Sequence, residues 1–240
     1  MKTLAGKNLE KNYGRKKVVD GVTIHVEKGE LVGLAGPNGA GKTTTFYMIS
    51  GFLFPDRGSV VLDGEDITDL PVHLRARKGI VYLPQEPSIF RRLTVEENIL
   101  SALELYYPRK IAMEKLELVL NTFHLSHLRK KKGGNLSGGE RRRTEIARAF
   151  SVEPHFMLLD EPFTGIDPLM TSELTELLKS LKGKGVGLLI SDHNIKEVLK
   201  ISDRIYILYE GKVIFHGKPD EVVKDERVRE LYLGEGFELR

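Results

Sequence analysis

Residues Gly36, Pro37, Asn38, Gly39, Ala40, Gly41, Lys42 and Thr43 spell G-x-x-x-x-G-K followed by Thr, a spacing suited to gripping phosphate. Glycines at 36, 39 and 41 let successive backbone N–H groups turn toward a single anion, a geometry that side chains would obstruct. Lys42 adds a cation that reaches terminal phosphates, and Thr43 offers a hydroxyl to a divalent cation such as Mg²⁺. A second candidate is the acid pair at the end of Phe156-Met-Leu-Leu-Asp-Glu161. Side chains alternate along a strand, so the two carboxylates diverge and take different work. Asp160 suits a metal, directly or through water, and Glu161 suits an attacking water as general base. Gln85 and His193 each follow a short apolar run and are polar residues placed after a candidate strand. Their competing readings are an ordinary loop amide and a structural histidine.

Chemistry of this kind needs a scaffold that delivers loops from several strands to one place. Val18 to Val26 and Glu30 to Ala35 read as strands, the second running into the glycine loop, and Thr44 to Ser50 reads as the helix after it. That helix points its positive end at whatever anion the loop holds. Ser59 to Leu62, Ile80 to Leu83, Phe156 to Leu159, Val186 to Ser191 and Arg204 to Tyr209 read as further strands. Helical patterns between the later strands predict a parallel sheet with crossover helices, and Glu210-Gly211 predicts a closing hairpin. Thr94 opens a helix with a capping signal, and the chain from there to about Phe150 reads as wholly helical. The expectation is an α/β core split by a helical insert over roughly 88–150.

Composition narrows the rest. The 37 basic and 34 acidic residues nearly balance, and the basic runs Arg129 to Lys132 and Arg141 to Arg143 lack the interleaved aromatics of a nucleic-acid surface, so no nucleic acid is expected. With no cysteine there is no disulfide, thiol nucleophile or zinc-thiolate centre. The apolar runs are strand-sized, well short of the roughly 20 residues of a spanning helix, and the N-terminus lacks a signal-peptide pattern.

Leu136-Ser-Gly-Gly-Glu140, lying between the phosphate loop and the acid pair, makes the chain resemble the ABC ATPases along nearly its whole length. The residues alone say that Ser137 opens a helix whose N-terminus forms a second anion site; they leave open whether both sites act on one nucleotide. The resemblance implies one ABC ATPase domain over 1–240: a P-loop NTPase, RecA-like core at 1–87 and 151–240 with an antiparallel β subdomain, and a helical subdomain at 88–150. It implies ATP and Mg²⁺ as cofactors and a head-to-tail homodimer in which Ser137 and Gly139 contact the γ-phosphate held by the other subunit's Gly36–Thr44 loop, with Gly138 and Glu140 also at the nucleotide. Asp160, Thr43 and Gln85 then attend the metal. Glu161, His193 and Gln85 act in hydrolysis, and Tyr13 stacks on adenine, against the competing reading of a surface tyrosine near a turn. Gly165-Ile166-Asp167 is similar to the family's loop at the dimer interface.

Further stretches are similar to the lipopolysaccharide-export ATPases: Thr43 to Met48, Tyr82 to Arg92, Leu136 to Arg143, Asp192-His-Asn194 and Tyr232-Leu-Gly-Glu235. That resemblance implies a place on the cytoplasmic face of the inner membrane and permease partners docking near Phe90, Arg91 and Arg92. Branched-chain amino-acid importer ATPases share much of the pattern, and a soluble ABC protein outside transport is the other alternative.

Overall fold

The computed structural model describes residues 2–234 and residue 237; Glu235 of the C-terminal stretch lies outside them. Two sheets carry the chain. The first is antiparallel, with strand order β2-β1-β4-β5, from β1 (Thr3–Tyr13), β2 (Lys16–Glu27), β4 (Arg57–Leu62) and β5 (Glu65–Asp66). β1 lies outside the strands expected from the sequence. Its Leu4 and Leu9 are buried among polar neighbours, and irregular register against β2 between Gly6 and Asn12 blurs the alternation that would have marked a strand.

The second sheet has order β10-β9-β3-β8-β7-β6. Its members are β3 (Leu31–Ala35), β6 (Ile80–Leu83), β7 (Phe156–Asp160), β8 (Gly187–Ser191), β9 (Arg204–Tyr209) and β10 (Lys212–Gly217). Neighbours pair in parallel except β9 with β10, which the Glu210-Gly211 turn joins as an antiparallel edge hairpin. Both turn residues have positive φ, 46° and 78°, as a two-residue hairpin turn matching the strand twist requires. β3, β7 and β8 are buried at every position, which explains their unbroken apolar runs. Alternate residues of β7 serve opposite faces. Phe156 and Leu158 pack with α1 (Lys42–Ser50) and the antiparallel sheet, whereas Met157 and Leu159 pack with α5 (Gly138–Phe150), α6 (Pro168–Gly183) and α7 (Ile195–Ile201).

Between α1 and β6 lies α2 (Val72–Arg77), whose buried Arg75 donates to the carbonyls of Met48 and Ile49 at the end of α1. Residues 94–150 are not helical throughout, contrary to expectation. α3 (Val95–Leu103) and α4 (Arg109–Thr122) are parted at Pro108, and 3₁₀ turns at Ser126–Leu128 and Gly133–Asn135 precede α5. Apolar residues in and just after these turns, such as Leu128 and Leu136, are buried and so mimic helical periodicity. The excursion leaves from β6 and returns at β7, its neighbour in the sheet, so helices can be accommodated there without disturbing the strand order. No helix among the described residues is long and apolar enough to cross a membrane.

Candidate active site

Four adjacent parallel strands end on the same side, and each hands the chain to a residue singled out by chemistry. After Ala35 of β3 comes the glycine loop, after Leu83 of β6 comes Gln85, after Asp160 of β7 comes Glu161, and after Ser191 of β8 comes His193. The crevice beyond the carboxyl ends of parallel strands is where open α/β sheets bind ligands. Here it is a cleft of about 550 Å³ lined by Asn38, Gly39, Gly41, Lys42, Thr43, Thr44, Gln85, Glu161, Thr164, His193 and Val18.

The loop fits phosphate on its own geometry. Gly36 has φ 152°, and a Cβ there would meet the Leu208 carbonyl oxygen at 2.1 Å. Gly41 caps α1 at φ 105° with no side chain satisfying the helix, leaving the first-turn N–H groups facing the cleft. Pro37 and Ala40 shape the turn, the Ala40 amide donating to the Pro37 carbonyl at 3.2 Å. Lys42 is buried and donates to the carbonyls of Gly36 at 2.8 Å and Pro37 at 3.0 Å, which coil the loop around its ammonium. Burial pushes its pKa down, and Glu161, Asp160 and Asp192 oppose that shift.

The acid pair diverges as alternation requires. Asp160 is buried behind the cleft and accepts from Tyr82 Oη at 3.1 Å and from Ser191 Oγ. A carboxylate has roughly four lone-pair sites, so these two donors leave room for a metal-bound water. Glu161 has φ 45°, a strained backbone for a non-glycine residue, held by its amide's bond to the Ser191 carbonyl at 2.8 Å. Its Oε2 accepts from Gln85 Nε2 at 2.8 Å and Thr164 Oγ1 at 3.0 Å, with His193 Nδ1 3.4 Å away. Asp192 is fully buried beneath His193 and accepts from the Phe163 and Asn194 amides at 3.1 and 2.8 Å; burial raises its pKa. Sequence reasoning gave Thr164, Tyr82 and Ser191 no role. Strand register was the available signal, because Asp160 pairs with Ser191.

Two groups of expected residues stand outside this cleft. Tyr13 ends β1 and is about half exposed at 51%, on the hairpin whose other strand supplies Val18 to the wall, and is not itself part of the lining. Ser137 caps α5, which Gly138, Gly139 and Glu140 begin, and none of the four is part of the cleft lining. There Ser137 Oγ accepts from the Glu140 amide at 3.2 Å and Glu140 Oε2 accepts from the Ser137 amide at 2.8 Å. Glu140 also takes Lys131 at 2.8 Å. The basic runs pair with acids as well: Arg129 and Lys130 with Glu96, and Arg143 with Glu173. Phe90, Arg91 and Arg92 form an exposed loop after Gln85, with Arg148 stacked over the Phe90 ring at 4.9 Å.

A phosphate loop on a parallel sheet, with carboxylate, amide and imidazole gathered before it and a capped second helix start on the same chain, defines an ATP-binding cassette. The chain belongs to the ABC transporter family, whose model matches residues 19–164; a second model, for branched-chain amino acid ATP-binding cassette transporters, matches residues 212–238. Over the full length of both chains it is 50% identical to the lipopolysaccharide export system ATP-binding protein LptB of Haemophilus influenzae, and 48% identical to that of Escherichia coli. Among solved structures it is similar to the ADP conformation of an ATP-binding cassette of an ABC transporter, with TM-score 0.88 and 33% identity, covering 98% of this chain and 100% of the other. It is also similar to a dimeric cassette in a post-hydrolysis state bound to ADP and Pi, with TM-score 0.80 and 26% identity, covering 90% and 98%.

Proposed function

We propose that this chain is the ATP-hydrolysing subunit of an ABC transporter that exports lipopolysaccharide, working as a homodimer against separate membrane permeases on the cytoplasmic face of the inner membrane. The observation that carries the motor function is the convergence of Lys42, Gln85, Glu161 and His193 on one cleft. The cargo rests on full-length identity of about half to proteins named for lipopolysaccharide export. The match of residues 212–238 to the branched-chain amino acid model supports the importer as the second reading.

When bound, ATP would supply the transferable phosphoryl group and Mg²⁺ a divalent charge to offset its negative charge. The loop Gly36–Thr44 binds the phosphates through backbone N–H groups, and Lys42 turns its ammonium from the loop carbonyls toward them. Thr43, Asp160 and Gln85 attend the metal. Glu161 takes the proton of the attacking water, oriented by Gln85 and Thr164, while His193 donates toward the γ-phosphate. Tyr13 stacks on the adenine, and residues 137–140 of the partner copy close the cleft from the other side. Residues 88–150 act as the helical subdomain, with Phe90, Arg91 and Arg92 receiving the permeases. Catalysis is then mostly positioning and charge stabilisation, which suits side chains already in mutual hydrogen bonds.

The test is affinity capture of the Glu161→Gln chain from native membranes with ATP present. Co-purification of lipopolysaccharide-export permeases supports the proposal. Amino-acid importer subunits transfer it to the second reading, and ribosomes or nucleic acid alone sink transport altogether.

A further inference from the structure

α5 carries buried charges at Arg142 and Glu145 that the hydrolytic roles above leave unused. Arg142 is 7% exposed, and its guanidinium forks between two backbone carbonyls: Nη1 donates to Pro84 O at 2.9 Å and Nη2 to Asp160 O at 3.0 Å. Each carbonyl belongs to the rigid peptide plane that carries the next residue's nitrogen, so the two planes held are those leading into Gln85 and into Glu161. Their side chains are the pair that meet at 2.8 Å in the cleft. Glu145 holds the fork in turn, with Oε2 3.4 Å from Arg142 Nη1 and Oε1 accepting from the Ser88 and Ile89 amides at 2.7 and 3.1 Å. Burial disfavours the charged guanidinium, and the Glu145 charge opposes that. A buried ion pair is weak ground for stability, and its rigid planar fork is better explained as a means of fixing geometry.

We propose that Arg142, anchored by Glu145, is a positioning residue that sets the register between Gln85 and Glu161. It ties that register to α5, the helix that Ser137 opens. The proposal rests on ATP hydrolysis at this cleft. Lysine keeps the charge that Glu145 pairs with, but a single ammonium cannot hold two carbonyls in a fixed fork. In Arg142→Lys, kcat is expected to fall roughly tenfold to a hundredfold, as a misplacement on the order of 1 Å produces, with KM and the nucleotide Kd unchanged within about twofold.

Hydrogen exchange on the nucleotide-free protein gives a readout independent of turnover: the amides of Gln85, Glu86, Ser88 and Ile89 should exchange several-fold faster in the variant. Glu145→Gln, which keeps the shape and removes the charge, should show the same two changes in milder form. An Arg142→Lys enzyme with parental kcat overturns the proposal, as does unchanged exchange over 85–89, or a loss of kcat matched by an equal loss of nucleotide affinity. If the parent chain hydrolyses no ATP, the proposed function fails by itself, and the exchange experiment still decides whether Arg142 sets the register.

Discussion

Gly139 lets two explanations of the Ser-Gly-Gly turn be separated by one added methyl group. A Cβ built at Gly139 would lie 2.2 Å from Met170 Sδ, 2.6 Å from its Cγ and 3.1 Å from its Cβ. Ordinary contact begins near 3.4 Å, so in Gly139→Ala either the Met170 side chain retreats by more than 1 Å or α5 moves off α6 by a similar amount. The sulfur end can rotate away; Met170 Cβ is fixed to its helix and cannot. Overpacking of this kind costs about 1–3 kcal/mol, against at most about 1 kcal/mol gained from alanine's helix propensity. With that gain subtracted, a net loss of up to about 2 kcal/mol lowers Tm by up to roughly 8 °C in a domain of this size. Since a shift near 1 Å in a binding group can cost on the order of a hundredfold, ATP turnover should fall far more than stability does. The assay is steady-state hydrolysis and calorimetry on Gly139→Ala, Met170→Ala and the double variant. If packing is the cause, Met170→Ala clears the space and the double variant returns to within about threefold of the parent. A double variant as inactive as Gly139→Ala would refute this reasoning and leave direct obstruction of a phosphate as the reason for glycine.

Further expectations follow from the cleft and its supports. Glu161→Gln keeps the shape and an acceptor for Gln85 while removing the proposed base, so single-turnover hydrolysis should slow by roughly 10²–10⁴ with nucleotide affinity retained. Lys42→Ala removes the charged donor proposed to meet the phosphates, and titration calorimetry should show nucleotide affinity reduced on the order of a hundredfold. Arg75→Met strips a charged donor from the carbonyls of Met48, Ile49, Thr68 and Leu70, a loss of about 3–5 kcal/mol that calorimetry should register as a Tm lower by roughly 6–20 °C. Asp56, bonded by Lys11 Nζ and the Asn12 amide, is held at a pKa of about 2 against an ordinary 3.8. Its depressed value means its contribution is complete above pH 3.8 and lost as pH falls through about 2; NMR titration of Lys11→Met should find it moved back toward 3.8.

Residues legible in the sequence were those whose type is dictated by chemistry or by backbone conformation. The glycine loop, the acid pair and the Glu210-Gly211 turn all fall where their patterns placed them, because phosphate binding, strand alternation and a two-residue hairpin each demand particular residues. The central strands were legible because burial on both faces leaves continuous apolar runs. What escaped depends on distance along the chain. β1 draws its burial from register with β2 and β4, and Tyr82, Ser191 and Arg142 take their meaning from partners 18 to 78 residues away. No local pattern announces that a tyrosine in one strand will donate to an aspartate in the next.

The two helix starts show why a capping motif and a ligand site are compatible readings of the same residues. α1 begins at Gly41 with no side-chain cap, so its orphan N–H groups are held in readiness for an anion that the loop and Lys42 also attract. α5 begins at Ser137 with a complete capping box, so one of its orphan donors is already satisfied from within the chain. Ser137 accepts in that cap, and a hydroxyl still has its own proton to donate. The cap therefore fixes the Ser137 rotamer while leaving that proton free for an oxygen brought from outside. Under the proposed function the α1 site would bind phosphate unaided, whereas the α5 site would be a pre-set closure that engages only an anion already held elsewhere. Two copies in the proposed head-to-tail arrangement would supply that pairing twice, each copy contributing one site of each kind.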